Sequence, residues 1–327
     1  MFTSLRRAAV LAVALGAGLG LTPAAQAAQA AFPERPITIV VPFPAGGSID
    51  ALLRGLSPAI GAKLGQNVLI ENAGGAGGAI GAAKVAQATP DGYTLLAGSI
   101  NDIVMQPTLN TGLRYRTSDL EPITLVAISP VVLVARPGLP ANTFDELVDA
   151  LRKAPDSLSY GSPGHGTFQH VIVEELQRRT DTKMLHVPYK GAAPLINDLL
   201  GGQIDIAVMA PPTALPHVQQ GRLKSLGVVS SKRMTEYPDM PTVNEGKSVK
   251  DFDMPGWIGI LAPQGVPQER LDRVRDAFAQ VLASDEARKR VLSMGMETVT
   301  TPDRASFAER IDTDVAGLRA LNLQLQP

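Results

Sequence analysis

The chain has 327 residues, of which 45% are hydrophobic and 19% are charged, and its formal net charge is -1. This composition is typical of a globular protein, and the length is enough for two hydrophobic cores. The balanced charge gives no basic surface for nucleic acid, and the absence of cysteine excludes disulfides, thiol catalysis and cysteine-bound zinc.

The N-terminus has the pattern of a secretory signal peptide. Arg6 and Arg7 precede an apolar run over residues 8–21, and the segment 25–27, Ala-Gln-Ala, has the small-x-small pattern of a cleavage site. The run has about 14 residues, short of the roughly 20 that span a bilayer, so cleavage is favoured over an uncleaved membrane anchor. We therefore expect residues 1–27 to be removed and the mature chain to be soluble in a bacterial periplasm.

Residues 37–50, with the sequence ITIVVPFPAGGSID, predict a strand, a glycine turn and a helix start. Ser48 is the predicted cap of the helix, and Pro58 is expected to kink or shorten it. A helix start presents unpaired backbone N–H groups and a partial positive charge, and glycines let a ligand come close to them. The stretch thus fits an anion site without a basic side chain, and the alternative is an ordinary βα turn.

Strand-like and helix-like segments alternate through the rest of the first half. Strands are predicted at 68–72 and 93–99, and Thr143 is predicted to cap a helix to about Lys153. The glycine-rich loop at 74–81 resembles a dinucleotide-binding loop, but the acidic residue expected after the next strand is missing. Close packing of backbone is therefore the favoured reason for its glycines.

A second strand, turn and helix unit repeats the design of the first. The strand at 158–160 leads into a turn over residues 161–167, Gly-Ser-Pro-Gly-His-Gly-Thr, and a helix follows to about Arg179. Two such turns in two halves of the chain suggest two helix starts that face one ligand. The two sequences do not align as an internal repeat.

Alternation continues to the C-terminus, which predicts an α/β architecture with mainly parallel sheets and flanking helices. Long extended stretches at 123–135 and 257–262 are the candidate crossings between two lobes. We therefore expect a discontinuous first domain over 31–128 and 260–327, and a second domain over 129–259. Two crossing strands beside a cleft form the hinge geometry that closes around a ligand.

Five motifs in fixed order carry a resemblance to a known family. They are RPITIVVPFPAGGSID, GQNVLIENAGGAGGAIGAAKVAQATPDGYTLLAGS, YGSPGHGTFQH, HVPYKGAAPLINDLLGGQIDIA and WIGILAPQGVP. The chain resembles the substrate-binding receptors of tripartite tricarboxylate transporters, also called Bug receptors. The resemblance implies a two-lobed periplasmic-binding-protein fold, the Venus flytrap. It also implies a receptor without cofactor that passes small carboxylates to membrane permease subunits.

The resemblance also implies which residues hold the ligand, through backbone amides, hydroxyls and waters of the two glycine turns. By matching motif these are Ala45, Gly46, Gly47 and Ser48 in the first turn, and Ser162, Gly164, Gly166 and Thr167 in the second. Further candidates lie on motif positions or beside the expected cleft: Phe43, Asp50, Ser99, Asn101, His165, Phe168, Tyr189 and Asp205. A structural role is the alternative for four residues on motif positions: Asp50, His170, Tyr189 and Asp205.

Departures from the family pattern bear on what fits the cleft. Pro44, His165 and Phe168 stand where a small or small polar residue is expected. The spacing of His165 and His170 does not place them on one helical face, and His186 and His217 are isolated in the sequence, so no metal site is expected.

No catalytic residue is predicted, because no Ser, His and Asp set can be assembled from the sequence. Two other functions stay open: a ligand-sensing receptor that signals to a membrane partner such as a sensor kinase, and an exported α/β hydrolase. A monomer is the natural expectation for a receptor with a hinge.

Overall fold

A computed structural model describes residues 32–299 and 303–322, and the predicted signal peptide lies outside them. The strands are β1 (Ile37–Val41), β2 (Val68–Asn72), β3 (Thr94–Ser99), β4 (Leu120–Ser129), β5 (Val131–Ala135), β6 (Ser159–Ser162), β7 (Leu185–Pro188), β8 (Ile206–Met209), β9 (Lys224–Val229), β10 (Gly256–Pro263) and β11 (Glu297–Thr298). They alternate with helices along most of the chain, as the sequence predicts.

The α-helices are α1 (Ser48–Leu64), α2 (Ala79–Ala86), α3 (Gln106–Leu109), α4 (Phe144–Lys153), α5 (Phe168–Thr180), α6 (Ala192–Leu200), α7 (Pro211–Gln219), α8 (Gln268–Leu282), α9 (Asp285–Ser293) and α10 (Arg304–Leu321). Short 3₁₀ turns lie at Ala76–Gly78, Thr117–Asp119 and Val243–Glu245, and a π-helical turn at Asn101–Met105. Of the helices described, none combines the length and the apolar character that a membrane crossing requires.

Two sheets form the centres of two lobes. The first has the strand order β11-β4-β10-β3-β1-β2, and the second has the order β7-β6-β8-β5-β9. β1 runs parallel to β2 and β3, and β6 runs parallel to β7 and β8. β10 and β5 run antiparallel to their neighbours, so both sheets are mixed within the predicted α/β architecture.

The chain passes between the sheets at two places. β4 belongs to the first sheet and β5 to the second, and only Pro130 separates them. The return lies between β9 and β10, over residues 230–255. β10 pairs with β4 along its whole length and with β3 over residues 258–261, so both sides of the predicted boundary at 259 belong to one strand. The division into two domains stays a prediction.

Local sequence accounts for the main helices. In α4, the Thr143 side chain accepts a hydrogen bond from the Glu146 N–H at 3.1 Å, which confirms the predicted cap. The Glu146 carboxylate reaches past the cap to the N–H of Asn142, at 2.8 Å. Charged side chains lie on the outer face of α4, while its apolar face is buried.

Pro58 does not shorten α1, which runs through it to Leu64, so the expected shortening was wrong, while a kink at Pro58 stays a prediction. Pro58 has no N–H for the carbonyl of Arg54, one turn earlier, but the Ser57 hydroxyl donates a hydrogen bond to that carbonyl at 3.2 Å. The helix therefore continues to Leu64, with its apolar side buried against the first sheet.

Trp257, the only tryptophan of the chain, lies on β10 and is buried. Its indole N–H donates to Asp314 of α10 at 2.7 Å, and its ring meets Phe307 edge to face at 5.1 Å. These contacts fix α10 to the strand that follows the return crossing.

Candidate functional site

Both predicted turns follow strands that run parallel to their neighbours. The first turn follows β1, which lies between β2 and β3 in the first sheet. The second follows β6, which lies between β7 and β8. Ligands of α/β proteins bind outside the carboxyl ends of such strands, so the fold places both turns where a ligand is expected.

In the first turn the helix cap is Gly47, one residue before the predicted Ser48. Gly47 has the extended backbone of a cap, with φ -72° and ψ 168°, and Ser48 is the first residue of α1. No side chain caps this end of the helix, and its first backbone hydrogen bond is Ala51 N–H to Gly47 O at 2.9 Å. The N–H groups of Ser48 and Ile49, at the start of the helix, thus remain available for an anion.

A charged network holds the first turn in shape. Asp50 accepts hydrogen bonds from Gly46 N–H at 2.9 Å, from Arg54 Nε at 2.9 Å and from Asn72 Nδ2 at 3.0 Å. The Asn72 side chain also donates to the Phe43 carbonyl at 3.1 Å. Burial favours the neutral acid, but these donors outweigh burial and lower the pKa of Asp50.

The backbone of Gly46 requires glycine, because its φ is +82°. Ala45 and Gly46 are exposed, while Gly47 and Ser48 are half-buried. The first turn therefore presents bare backbone to solvent, and Asp50 supports it from below.

At the end of β3, Ser99 is bonded to a buried carboxyl of the same lobe. The Ser99 hydroxyl donates to Asp102 Oδ1 at 2.5 Å, and its N–H donates to the same oxygen at 3.0 Å. Asp102 is fully buried, which raises the pKa of its carboxyl to about 7. Both hydrogen-bond donors of Ser99 are thus used within the first lobe, on Asp102.

The second turn is held by hydroxyl groups and glycines. Thr167 is the cap of α5, and its Oγ1 donates to the Gly164 carbonyl at 2.7 Å. Ser162 Oγ donates to the same carbonyl at 3.0 Å. Gly164 and Gly166 have φ of +153° and +69°, a region that glycine adopts readily.

A stack of imidazole rings lies under the second turn. His170 and His186 have ring centroids 3.9 Å apart and an interplanar angle of 16°, and the His165 ring lies 5.0 Å from that of His170. The Gly166 N–H donates to His170 Nδ1 at 3.0 Å, and His186 Nε2 is 2.7 Å from Ser162 Oγ. The expectation that His186 is isolated was therefore wrong.

Burial, together with the neighbouring rings, lowers the pKa of His170 to about 3 and the pKa of His186 to about 4. These two rings are therefore neutral near pH 7. His170 must keep Nδ1 unprotonated to accept from Gly166, so the turn and the charge of the ring are linked.

The Asn101 side chain links the first lobe to the second turn. The Phe168 N–H, at the start of α5, donates to Asn101 Oδ1 of the first lobe at 2.8 Å. Phe168 is buried, and a Cβ at Gly256 of β10 would lie 3.3 Å from its ring. A Cβ at Gly166 would lie 3.8 Å from Leu109 of α3. The structure thus brings Asn101 and the second turn together.

Tyr189 contacts the second turn through its backbone. The Tyr189 N–H donates to the Ser162 carbonyl at 2.9 Å, but its hydroxyl donates to Asp198 of α6 at 2.8 Å. Its backbone, and not its hydroxyl, therefore adjoins the second turn.

Asp205 is not brought to the site. It precedes β8, at the opposite end of that strand from the carboxyl edge, and accepts from Arg136 Nε at 2.7 Å and Ser159 N–H at 2.8 Å. Burial favours the neutral acid, but these donors lower its pKa. The structure gives Asp205 a bracing role within the second sheet.

Ser162 and His186 form a hydrogen-bonded pair that sequence reasoning missed. A catalytic triad also needs an acid that orients the histidine. In the described part of the chain no carboxylate forms a hydrogen bond or ion pair with His186, and no group of residues there has the geometry of a metal site. The pair serves to hold the second turn.

The model of the tripartite tricarboxylate transporter family receptor matches residues 52–320 of this chain. The chain belongs to this receptor family. Membership makes it a substrate-binding receptor of the tripartite transporter class rather than an enzyme, and an exported protein of the periplasm, as the sequence predicts.

Three solved structures share the fold over nearly their whole length. The periplasmic binding protein BugD is 34% identical, with a TM-score of 0.80, and covers 89% of this chain and 97% of its own. Rpa4515 of R. palustris with adipate is 27% identical, with a TM-score of 0.83 and coverage of 89% and 97%. MatC of Rhodopseudomonas palustris with bound malate is 29% identical, with a TM-score of 0.80 and coverage of 87% and 98%.

Proposed function

We propose that this receptor closes its two lobes around a small carboxylate and delivers it to the membrane subunits of its transporter. The observation that carries the proposal is the pair of glycine turns, which end in helix starts on opposite lobes, with Asn101 of the first lobe bonded to the second of these helix starts. A carboxylate at the start of α1 gains the uncapped amides and the favourable end of the helix dipole.

The predicted site residues divide by role in this proposal. The first-turn backbone at Ser48 faces the ligand directly. The second-turn backbone, whose Gly164 and Gly166 N–H groups already donate to Ser162 Oγ and His170 Nδ1, faces the ligand through water. Asp50 and Ser162 hold those turns in shape. Phe43, Asn101 and Phe168 set the shape of the space between them. The two structural neighbours with adipate and malate support a ligand that is a dicarboxylate of similar size to these two.

A thermal-shift screen of the mature chain tests the proposal directly. The probes are di- and tricarboxylates, aromatic acids and acidic amino acids. A ligand that binds only the folded state adds about 2.7 kcal/mol of stability at a hundredfold excess over Kd. A raised Tm with at least one carboxylate is expected, and no shift with any of them would contradict the proposal.

Replacing Gly47 tests whether the first turn is the site. A Cβ at Gly47 would meet only the Pro44 carbonyl, at 3.4 Å, and the backbone there suits any residue. Gly47→Leu is therefore expected to fold and to weaken ligand binding at least about tenfold, or about 1.4 kcal/mol. Gly317→Leu is the matched control, because a Cβ at Gly317 in α10 meets nothing within 4 Å. Equal affinity of the two variants would exclude the first turn.

We also propose that the receptor is a monomer, that its signal peptide is cleaved after Ala27, and that its membrane partner is a permease. Cross-linking in membranes of cells that express the permease subunits tests the partner. Capture of a sensor kinase in place of the permease would favour the signalling function. Light scattering gives the oligomeric state, and mass spectrometry of the exported chain gives the cleavage site.

A further inference from the structure

The second turn has a single side chain that can carry a charge at neutral pH, the imidazole of His165. The other residues over 161–167 are glycine, serine, proline and threonine. His165 is exposed, whereas Gly164 before it is half-buried and Gly166 after it is buried. The turn therefore presents one titratable group at its surface.

The backbone of the second turn has few N–H groups to offer to a ligand. Four of them, at Gly164, Gly166, Thr167 and Phe168, donate to acceptors of the protein at distances of 2.8 to 3.3 Å. A carboxylate at this turn gains the partial positive charge of the helix start, which is not a full charge. A fully charged contact from this lobe needs a side chain.

His165 belongs to a cluster of three imidazole rings, here called the histidine cluster: His165 of the turn, His170 of α5 and His186 of β7. The centroid of the His165 ring lies 5.0 Å from that of His170 and 6.4 Å from that of His186. With pKa values of about 3 and about 4, His170 and His186 are neutral at pH 7 and do not repel a charge on His165. The exposed ring is thus the one that gains a proton without the cost of burial.

Glu174 and Tyr160 face the buried side of the histidine cluster. Glu174 Oε1 lies 3.8 Å from His170 Nε2 and accepts a hydrogen bond from the Tyr160 hydroxyl. The Tyr160 ring stacks on that of His186 at 4.8 Å, and burial raises the pKa of its hydroxyl, so it stays neutral. The negative charge of Glu174 therefore acts on the cluster from the side of His170.

Lys190, just after β7, flanks the second turn. Its neighbours Tyr189 and Gly191 donate their N–H groups to the Ser162 and Pro163 carbonyls, at 2.9 and 3.0 Å. A solvated lysine keeps its charge throughout the neutral range, so its attraction for a carboxylate does not change there. An imidazole changes charge in that range. The two side chains can therefore be distinguished by pH.

The histidine cluster lies where the second turn meets the first lobe. The Gly166 N–H donates to His170 Nδ1, and a Cβ at Gly166 would lie 3.8 Å from Leu109 of α3. The proposed function places a carboxylate between the two turns, next to this cluster. An opposite charge within about 4 to 6 Å favours the protonated form of an imidazole.

We infer that His165 contacts a carboxylate of the ligand from the second lobe, and that it takes up a proton when this carboxylate binds. This inference rests on the proposed function, because it concerns the ligand of that same site. It makes the affinity fall as the pH rises through the neutral range, since the protonated ring is the form that attracts a carboxylate.

Isothermal titration calorimetry of the mature chain at pH 7.4, in PIPES and in Tris, counts the proton. The two buffers differ widely in their heat of ionisation, so the difference in binding heat gives the number of protons taken up. The probes are succinate, adipate and L-malate, or, if none of these binds, the carboxylate that raises Tm most in the thermal-shift screen. For an ordinary imidazole beside one carboxylate, the expected uptake is about half a proton, and Kd is about fivefold lower at pH 6.5 than at pH 8.5. Binding without proton uptake overturns the inference and leaves the proposed function standing.

Two variants of His165 locate the proton. His165→Asn and His165→Gln are expected to bind the same probe without proton uptake and with a Kd that does not depend on pH. Lys190→Gln is the matched control for a lost positive charge beside the turn, and it is expected to keep the uptake. Circular dichroism confirms that the variants are folded.

Three outcomes would contradict the assignment to His165. If both His165 variants take up as many protons as the wild type, the proton is held elsewhere. If Lys190→Gln abolishes the uptake, His165 is not its source either. If no carboxylate of the screen binds, the proposed function fails, and the inference fails with it.

Discussion

The two glycine turns share one design but are held by opposite chemistry. In the first lobe a charged network of Asp50, Arg54 and Asn72 holds the turn before α1. In the second lobe neutral imidazole rings and hydroxyl groups hold the turn before α5. The same backbone task can thus be met by an ion pair or by neutral hydrogen bonds. The two turns are expected to respond differently to mutation and to pH.

The largest expected effect comes from removing the charge that holds the first turn. Asp50→Ala leaves three donors without their acceptor and is expected to lower the free energy of unfolding by about 2 kcal/mol, discounted because Arg54 is half-exposed and regains water. Urea denaturation measures the change. The control Asp149→Ala breaks an exposed pair and should cost less than about 0.5 kcal/mol. Equal costs for the two variants would refute the bracing role of Asp50.

The second turn is expected to weaken in acid. His170 and His186, with pKa values of about 3 and about 4 in the fold, bind fewer protons when folded than when unfolded, so they stabilise the fold above pH 6.5 and this stability is lost as pH falls. Asp102, with a pKa of about 7, has the opposite sign and offsets one histidine. Between pH 6 and pH 5 the free energy of unfolding is therefore expected to fall by about 1 kcal/mol per pH unit.

A variant of His170 checks which group causes this slope. His170→Asn removes one titrating ring and offers an amide oxygen to the Gly166 N–H. Urea denaturation at pH 6 and pH 5 is expected to give this variant almost no slope. A wild-type protein whose stability is flat or rises toward pH 5 would contradict the assigned histidine environment.

The smallest effect concerns the contact between the lobes. Asn101→Ala removes the acceptor of the Phe168 N–H and is expected to weaken the contact between the lobes by about 1 kcal/mol. Hydrogen exchange at the Phe168 amide reports the change, since the lost acceptor exposes it to solvent. Asn101→Asp keeps an acceptor and should retain the protection. Unchanged exchange in Asn101→Ala would show that the lobes are held by other contacts.

The chain order of strands, turns and helices could be predicted because each unit has a local signal. The apolar strand and the glycine turn before Ser48, and the corresponding unit before Thr167, are read from neighbouring residues. Helix α7 is harder to predict, because it begins with Pro211 and Pro212 and a pair of prolines also typically ends a strand. Proline at the first turn of a helix is equally a start signal.

The contacts inside the site could not be predicted because they depend on strand register. The parallel pairing of β6 with β7 sets Tyr160 opposite His186, and this brings His186 under the second turn. No periodicity in the sequence fixes that register. Asp205 shows the same limit. The motif makes it a candidate ligand residue, but it lies just before β8, at the end of that strand away from the second turn.

Trp257 gives the protein a built-in optical label. Its position on β10 pairs with Ile128, close to where β4 ends and the chain leaves the first lobe. Because the chain has one tryptophan, a change in the fluorescence excited at about 295 nm comes from this one residue. The hydrogen bond to Asp314 gives the indole a defined environment in the ligand-free protein. A ligand titration followed by Trp257 fluorescence therefore reports changes near the crossing without any added dye.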